Sequence, residues 1–331
     1  MSFAGVCALA LLAQVSPPAA SPTPAAPVPP ARAVPASLSA PAHPLAPSLP
    51  APVRENGWKP LTPEQRAALI ADQAQTPLAE RLLGMSERFL NTPYVLSPLG
   101  EGQGVDPDPT FRLDAVDCLT FVEETLALGM AQGEPEVPAL LERIRYASTP
   151  SYEDRNHLME AQWLPNNIKK GLLVDVTRRY AKDDAVAVTK TLTAHTWQSK
   201  SSQALQLPRE RQPVGTFGLT MIPLDKVLTH ARDVASGTIL VVLREDLPLK
   251  ATRITHLGFV VQKKKRTYLR HASRGGYNRV VDEDLETFLA RNARYDKWKV
   301  TGVSLFEARR PPPTLVAQPA QAAGSAAVGA P

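Results

Sequence analysis

The sequence predicts an α+β domain in which helices come first along the chain and antiparallel strands follow. Between residues 62 and 146, apolar residues recur every three or four positions, which is the spacing of helices with a buried face. After residue 237, runs rich in Val, Ile, Leu and Phe are separated by turn residues and indicate strands. Both ends of the chain are rich in Pro and Ala. We therefore expect one domain over residues 58–310, which is long enough to bury a sizeable core.

Residues 1–20 are predicted to be a signal peptide, because the apolar run at 3–15 is too short to cross a bilayer and ends in small residues and prolines. This predicts an exported protein of the periplasm or cell envelope, without stable membrane insertion once the signal is removed. A lipid-modified Cys7 is the less favoured alternative. Residues 21–57 and 311–331 are expected to be a disordered linker and a disordered tail, since they carry few large apolar side chains.

The net charge gives a weak indication of the partner. A formal charge of +5 suits a protein that meets an anionic polymer. The basic residues around 169–182 lack interleaved aromatic residues, so we expect a solvated face and no nucleic-acid partner. The sequence contains no CxxC-type metal cluster, and we expect neither a metal nor a cofactor. The protein is expected to be a monomer.

Cys118 is the residue around which a function can be built, because it is the remaining cysteine once a leader containing Cys7 is removed. Asp117 before it is a good helix N-cap. Four apolar residues then have the spacing of one buried helical face: Leu119, Val122, Leu126 and Met130. At the first helical position, unpaired backbone N–H groups and the helix dipole favour a nucleophilic thiolate. The alternative is a buried cysteine that serves as a small core residue.

The other elements follow the same two periodicities. Helices are predicted to begin at a Thr-Pro pair at 62–63 and to cover 77–89, 138–146, 225–235 and 284–292. Strands are predicted over 237–243, 255–262, 266–273 and 300–308, with a tight turn at 263–266. Three segments lack a clear period: a Gly-, Pro- and Asp-rich loop at 98–109, a segment at 151–167, and a polar stretch at 170–230. By residue types alone, 151–167 is a surface loop with one satisfied histidine or, less favoured, a binding loop.

Two histidines are predicted to meet across one β-hairpin. His256 begins one strand and His271 lies near the end of its partner, so the turn brings both to the same end of the sheet. A thiolate needs a base for its proton, and the base needs a third group that orients its ring. If the cysteine helix packs on that face, Cys118, His256 and His271 are the nucleophile, the base and the orienting group.

Short motifs in this order resemble those of the NlpC/P60 cysteine peptidase superfamily, and more closely its N-acetylmuramoyl-L-alanine amidase-like branch. The resemblance covers about residues 85–305. Its motifs are Asn-Thr-Pro-Tyr-Val at 91–95, Asp-Cys-Leu-Thr-Phe-Val-Glu at 117–123, Arg-Asn-His at 155–157, Trp-Leu-Pro-Asn at 163–166, His-Leu-Gly at 256–258 and His-Ala-Ser at 271–273.

The resemblance implies a papain-like NlpC/P60 fold of the α+β class, with the nucleophile at a helix start packed on an antiparallel sheet. It implies a Cys/His/polar triad that hydrolyses amides in peptidoglycan or a muropeptide. It also implies substrate contacts for Tyr94, Arg155, His157, Trp163, Asn166 and Ser273. Three alternatives stay open: a γ-D-glutamyl-diamino acid endopeptidase, a non-catalytic cell-wall binding module, and amide or acyl transfer through the same acyl-enzyme.

The expected charges favour the amidase over the endopeptidase. An endopeptidase that recognises the free amine of L-alanine needs a carboxylate beside the nucleophile. Asp106 and Asp108 are near in sequence, whereas Asp114 and Asp117 are expected to cap the helix. An amidase must instead accommodate the carboxylates of the stem peptide, which the segment at 155–157 is expected to bind through a bidentate arginine and a histidine.

Overall fold

The computed structural model describes residues 56–310, which form a helical layer packed on an antiparallel sheet. The predicted α+β class is confirmed. The predicted signal peptide, the tail and nearly all of the linker lie outside the described residues. Packed contacts begin before residue 58, because Asn56 is buried and donates a hydrogen bond to the carbonyl of Leu113 at 2.7 Å.

Nine α-helices occur within residues 56–310: α1 (Pro63–Asp72), α2 (Leu78–Arg88), α3 (Cys118–Met130), α4 (Val137–Arg145), α5 (Leu164–Lys169), α6 (Thr177–Ala181), α7 (Lys200–Gln203), α8 (Val227–His230) and α9 (Leu285–Ala293). The Thr62 cap of α1 is confirmed by a capping box. The helix predicted over 225–235 is wrong in length, because α8 is flanked by short 3-10 turns. In this part of the chain no helix has both the length and the apolarity to cross a membrane.

Eight strands form one antiparallel sheet: β1 (Leu173–Asp175), β2 (Val186–Leu192), β3 (Gly215–Pro223), β4 (Ile239–Arg244), β5 (Ile254–Lys263), β6 (Arg266–Ser273), β7 (Arg279–Asp284) and β8 (Val300–Ala308). The order is β2-β3-β8-β4-β5-β6-β7, and β1 also pairs with β8. β4, β5, β6 and β8 lie where strands were predicted. β2 and β3 lie inside the stretch predicted to be polar and mixed, because most of their residues are exposed or half-buried and carry no apolar period.

Helix α3 lies at the centre of the domain rather than on its surface. Twelve of its 13 residues are buried, and the ring of Phe121 contacts that of Phe259 in β5 at 5.7 Å between centroids. The prediction of one buried face is therefore wrong, and Leu119, assigned to that face, is the half-buried residue of the helix. A helix apolar on most sides is typical of a core position. Cys118 is thereby held by the core of the domain.

The β5–β6 hairpin is as predicted, and its geometry depends on two local features. Lys264 and Lys265 in the turn have φ angles of 46° and 65°, the left-handed pair that a tight hairpin requires. Near its other end, the strands approach so closely at Gly258 that a Cβ atom there would lie 2.4 Å from the carbonyl oxygen of Arg270. This approach keeps the end of the hairpin that carries His256 and His271 compact.

Candidate active site

One pocket gathers five of the nine predicted site residues: Tyr94, Cys118, His256, His271 and Ser273. It lies at the end of the sheet where β5 begins and β6 ends. The pocket has a cavity volume of about 130 Å³ and is partly open to solvent. The structure therefore brings the predicted nucleophile and both predicted histidines to one cavity.

The position of Cys118 is fixed by the cap of α3. The carboxylate of Asp117 accepts hydrogen bonds from the backbone N–H groups of Leu119 and Thr120, at 3.0 and 2.8 Å, and the N–H of Asp117 donates to the hydroxyl of Thr120 at 2.9 Å. A further hydrogen bond comes from the N–H of Ser97 at 3.1 Å. Burial raises the pKa of Asp117, and these hydrogen bonds oppose that rise. The predicted cap is confirmed, with Cys118 as the first residue of the helix and almost fully buried.

The two histidines are joined to each other and to an acid that the sequence did not reveal. Nε2 of His256 lies 2.7 Å from Nδ1 of His271, and Nε2 of His271 lies 3.0 Å from Oε2 of Glu283 in β7. Arg291 of α9 donates two hydrogen bonds to the same carboxylate, at 2.7 and 3.1 Å. The result is a continuous hydrogen-bonded chain from His256 to Arg291.

The pKa values of the groups in this hydrogen-bonded chain determine where its protons lie. Burial would raise the pKa of Glu283, but hydrogen bonds from His271 and Arg291 bring it below its usual value, so the group is a carboxylate. Burial lowers the pKa of His271, and burial together with the neighbouring His271 and Arg291 lowers that of His256 much further. Both rings are therefore neutral at pH 7. Since Glu283 only accepts, His271 donates from Nε2 and accepts at Nδ1 from His256, which leaves Nδ1 of His256 with a free lone pair.

Helix α3 packs on the sheet face opposite to the one that carries the histidines, which corrects the arrangement expected from the sequence. His256 and Phe259 are three residues apart in β5 and so point to opposite faces. Phe259 contacts Phe121 of α3, whereas the His256 ring stacks on Phe288 of α9 at 5.6 Å. Cys118 still shares the pocket with His256, because both lie at the end of the sheet, where groups from its two faces can meet.

Arg155 and His157 do not line this pocket, and their expected contacts with substrate are replaced by contacts within the protein. The guanidinium of Arg155 is buried and forms ion pairs with Glu101 and Asp106, at 2.6 and 3.0 Å. His157 is fully buried and donates from Nε2 to the carbonyl of Tyr152 at 2.6 Å. They border a small neighbouring cavity with Asp117. The physical reason for the correction is charge: a buried guanidinium bound to two carboxylates is already neutralised.

Trp163 is buried and Asn166 is half-buried, and the side chains of both contact other parts of the protein. The side chain of Trp163 has no exposed surface, and its indole N–H donates to Glu123 of α3 at 2.9 Å. Asn166 donates from its side chain to the side-chain oxygen of Asn156 at 2.6 Å. Neither residue lines the pocket of Cys118, and in the structure they support α3 and the 151–167 segment. That segment is neither a surface loop nor an open binding loop.

The remaining wall of the pocket comes from residues that the sequence did not single out: Arg244, Thr255, Arg274, Gly275, Phe288, Arg291, Asn292, Tyr295 and Trp298. Three of them are arginines, and among the described residues no Asp or Glu lines this pocket. Of the aspartates near Cys118 in sequence, Asp114 pairs with Arg112 and Asp106 with Arg155. The lining of this pocket therefore carries positive charge from Arg244 and Arg274 that no carboxylate of the described lining offsets.

Comparison with known families finds a match over most of the domain. A sequence model of the AmiA-like family, described as N-acetylmuramoyl-L-alanine amidase-like, matches residues 84–295, which is more than half of the chain. The matched range contains Cys118, both histidines and Glu283. No curated protein matches the chain in sequence.

Solved structures share the fold at low sequence identity. A Legionella pneumophila protein has a TM-score of 0.62 and 22% identity, covering 75% of this chain and 96% of its own. An N-acetylmuramoyl-L-alanine amidase from Bacteroides uniformis has a TM-score of 0.57 and 22% identity, covering 70% and 99%. A Bacteroides fragilis protein described as a candidate xylanase has a TM-score of 0.55 and 24% identity, covering 68% and 99%. At these identities the likeness shows the fold alone.

Proposed function

This chain belongs to the N-acetylmuramoyl-L-alanine amidase-like family, and from that premise we propose that it hydrolyses the amide between muramic acid and L-alanine in peptidoglycan or its soluble fragments. Cys118 is the proposed nucleophile. The observation that carries the proposal is that Cys118 opens into the same pocket as a neutral histidine pair oriented by Glu283. We also propose the papain-like NlpC/P60 arrangement for the fold, which the helix-start cysteine beside histidine-bearing antiparallel strands supports.

The proposed reaction follows from the proton positions. Nδ1 of His256 takes the thiol proton of Cys118, and the thiolate attacks the lactyl carbonyl carbon. The imidazolium formed is stabilised through His271 by the carboxylate of Glu283. His256 then gives the proton to the nitrogen of L-alanine as the C–N bond breaks, which leaves a thioester on Cys118. Water, deprotonated by His256, hydrolyses the thioester and restores the thiol. Tyr94, which lines the pocket, is the proposed hydrogen-bond donor to the oxyanion.

The charge of the pocket supports the amidase over the endopeptidase. An endopeptidase site that holds the ammonium group of L-alanine needs a carboxylate near the nucleophile. Among the described residues the pocket of Cys118 has three arginines and no carboxylate in its lining. An ammonium group in this pocket would meet like charges, whereas a sugar-linked stem peptide brings carboxylates to it.

The place of action is proposed from the sequence alone. The apolar run at 3–15 supports export to the periplasm or cell envelope, and those residues lie outside the described part of the chain. A monomer remains the expectation. The basic overall charge is compatible with an acidic polymer or its fragments as substrate.

The bond that is cut can be identified by weighing the products from a disaccharide or anhydro-muramyl tetrapeptide. The amidase releases an intact tetrapeptide that begins with L-alanine. A sugar that still carries L-Ala-D-Glu would contradict the proposal in favour of the endopeptidase.

A parallel reaction with an added amine tests transfer. An acyl-enzyme that prefers the amine to water gives a new amide of higher mass in place of the free acid.

A further inference from the structure

Arg244 has a fixed orientation in the pocket wall. Its Nε donates to the hydroxyl of Thr255 at 2.9 Å, and its Nη1 donates to the carbonyl of Trp298. The guanidinium also lies 5.3 Å from the ring centroid of Tyr295 and 5.8 Å from that of Trp298. These contacts fix the group without using all five of its N–H donors.

The charge of Arg244 has no counter-ion within residues 56–310. No carboxylate pairs with it or with Arg274, whereas Arg291, the third arginine of the pocket, is bound to Glu283. Arg244 is half-buried, and burial lowers its pKa, so the protein holds an unpaired cation partly out of water. Such an arrangement costs free energy unless an anion binds there. Arg274 is exposed in the β6–β7 turn and faces the same cavity.

We propose that Arg244 and Arg274 form a subsite for a free carboxylate of the stem peptide, at a distance from the amide that is cleaved. The inference rests on the proposed function and adds a specificity to it. D-Glutamate in a stem peptide is linked through its γ-carboxyl and keeps a free α-carboxylate, whereas its amidated form, D-isoglutamine, has a neutral amide there. Arg244 can bind the carboxylate through two N–H groups, and it cannot form a charged pair with the amide.

In this proposal Arg244 and Arg274 have the carboxylate-binding role that was expected for Arg155. Arg155 is already neutralised by Glu101 and Asp106, and it does not reach the pocket of Cys118. Arg244 and Arg274 have no carboxylate partner among residues 56–310, and they lie in the same pocket as the proposed nucleophile. The enzyme is therefore expected to select stem peptides with unamidated D-glutamate.

The test compares two substrates that differ by one group, N-acetylmuramoyl-L-Ala-D-Glu and N-acetylmuramoyl-L-Ala-D-isoGln. The ratio of their kcat/KM values does not depend on the folded fraction of a variant. The wild type is expected to prefer the D-Glu substrate by about ten- to a hundredfold, as for a hydrogen bond to a charged group. Arg244→Gln and the milder Arg274→Ala should each lower this ratio. Arg294→Ala is the matched control, because Arg294 is an exposed arginine at the end of α9 that does not line the pocket.

Equal cleavage of the two substrates by the wild type would overturn the subsite while leaving the proposed amidase intact. A ratio unchanged by both Arg244→Gln and Arg274→Ala would overturn the assignment of these residues. If neither substrate is cleaved, the proposed function fails, and the subsite is decided by calorimetry with the Cys118→Ala variant. Tighter binding of the free dipeptide L-Ala-D-Glu than of L-Ala-D-isoGln, lost in Arg244→Gln, then supports it, and equal binding overturns it.

Discussion

Nε2 of His256 and Nδ1 of His271 lie 2.7 Å apart, close enough for one ring to donate directly to the other. Because the other nitrogen of His271 donates to Glu283, the direction of this hydrogen bond is fixed, and His256 is the donor. His256 is thus the member of the pair with a lone pair free for a proton. In the proposed mechanism His256 is therefore the base, and His271 holds its ring.

The first prediction separates these two roles. His256→Ala should lower kcat/KM by about 10²- to 10⁴-fold, the usual contribution of a general base. His271→Asn should lose less activity, because the amide keeps a polar partner for His256. Rates of muropeptide cleavage by the two variants give the answer. If His271→Asn were the worse variant, the roles of the histidines would have to be exchanged.

The second prediction concerns Glu283, which is hydrogen-bonded to His271 and stabilises the imidazolium in the proposed mechanism. Glu283→Ala should lower kcat by about tenfold or more, with a smaller effect on KM, because the carboxylate acts when charge develops. Glu283→Gln keeps an acceptor oxygen without the charge, and it should fall between the wild type and Glu283→Ala. Circular dichroism at matched temperature checks folding. A wild-type kcat in a folded Glu283→Ala protein would exclude a role for Glu283 in supporting the two histidines during catalysis.

Much of this site could be predicted from the sequence, and the rest could not for a physical reason. Cys118, His256 and His271 are marked by local signals: a cap, a strand start and a hairpin. Glu283 lies in β7, whose acidic sequence has no strand period, and it reaches His271 by pairing between strands. No local pattern indicates such a contact.

The predicted site residues that lie outside the pocket illustrate the same limit. Arg155 and Trp163 sit in recognisable motifs, but whether they face substrate depends on partners far away in sequence. Glu101 lies 54 residues from Arg155, and Glu123 lies 40 residues from Trp163. Similarly, α3 has helical periodicity, yet that periodicity did not indicate that other elements cover it on all sides. Helices α1 to α4 and α9 and strands β4, β5, β6 and β8 were predictable because they follow local spacing.

The third prediction is the pH range of activity. The pKa of His256 lies well below its usual value of 6.5, mainly through burial. A base must be neutral to accept a proton, so kcat/KM should remain on its plateau as the pH falls from 8 to about 6.5 and decline only below that. A pH profile on a muropeptide substrate measures this. An acidic limb with an apparent pKa of 7 or more would contradict a neutral His256 in the free enzyme.

The fourth prediction concerns stability and the buried His157, whose pKa is lowered to about 3, first by burial and then by the nearby Arg155. At pH values between about 3 and the unfolded pKa of 6.5, His157 of the unfolded chain binds a proton that the folded protein does not bind. The contribution of neutral His157 to the free energy of unfolding is therefore fully present above pH 6.5. It is lost as the pH falls, by about 2 kcal/mol between pH 6.5 and 5.

Urea unfolding of the wild type and of His157→Gln at several pH values checks this. The variant should be less stable at pH 7, because it disturbs a buried hydrogen bond, yet it should lose stability less steeply with acid. Parallel pH dependences in the two proteins would mean that carboxylates, not His157, account for the loss.

The central claim, that Cys118 is the nucleophile, is tested most directly by the activity of Cys118→Ala. Sulfur is removed, while the Asp117 cap and the core contacts of α3 remain, so the variant should fold and melt cooperatively near the wild-type temperature. We expect it to release no tetrapeptide from anhydro-muramyl tetrapeptide under conditions in which the wild type converts the substrate completely. Full hydrolytic activity in the folded Cys118→Ala protein would contradict the account.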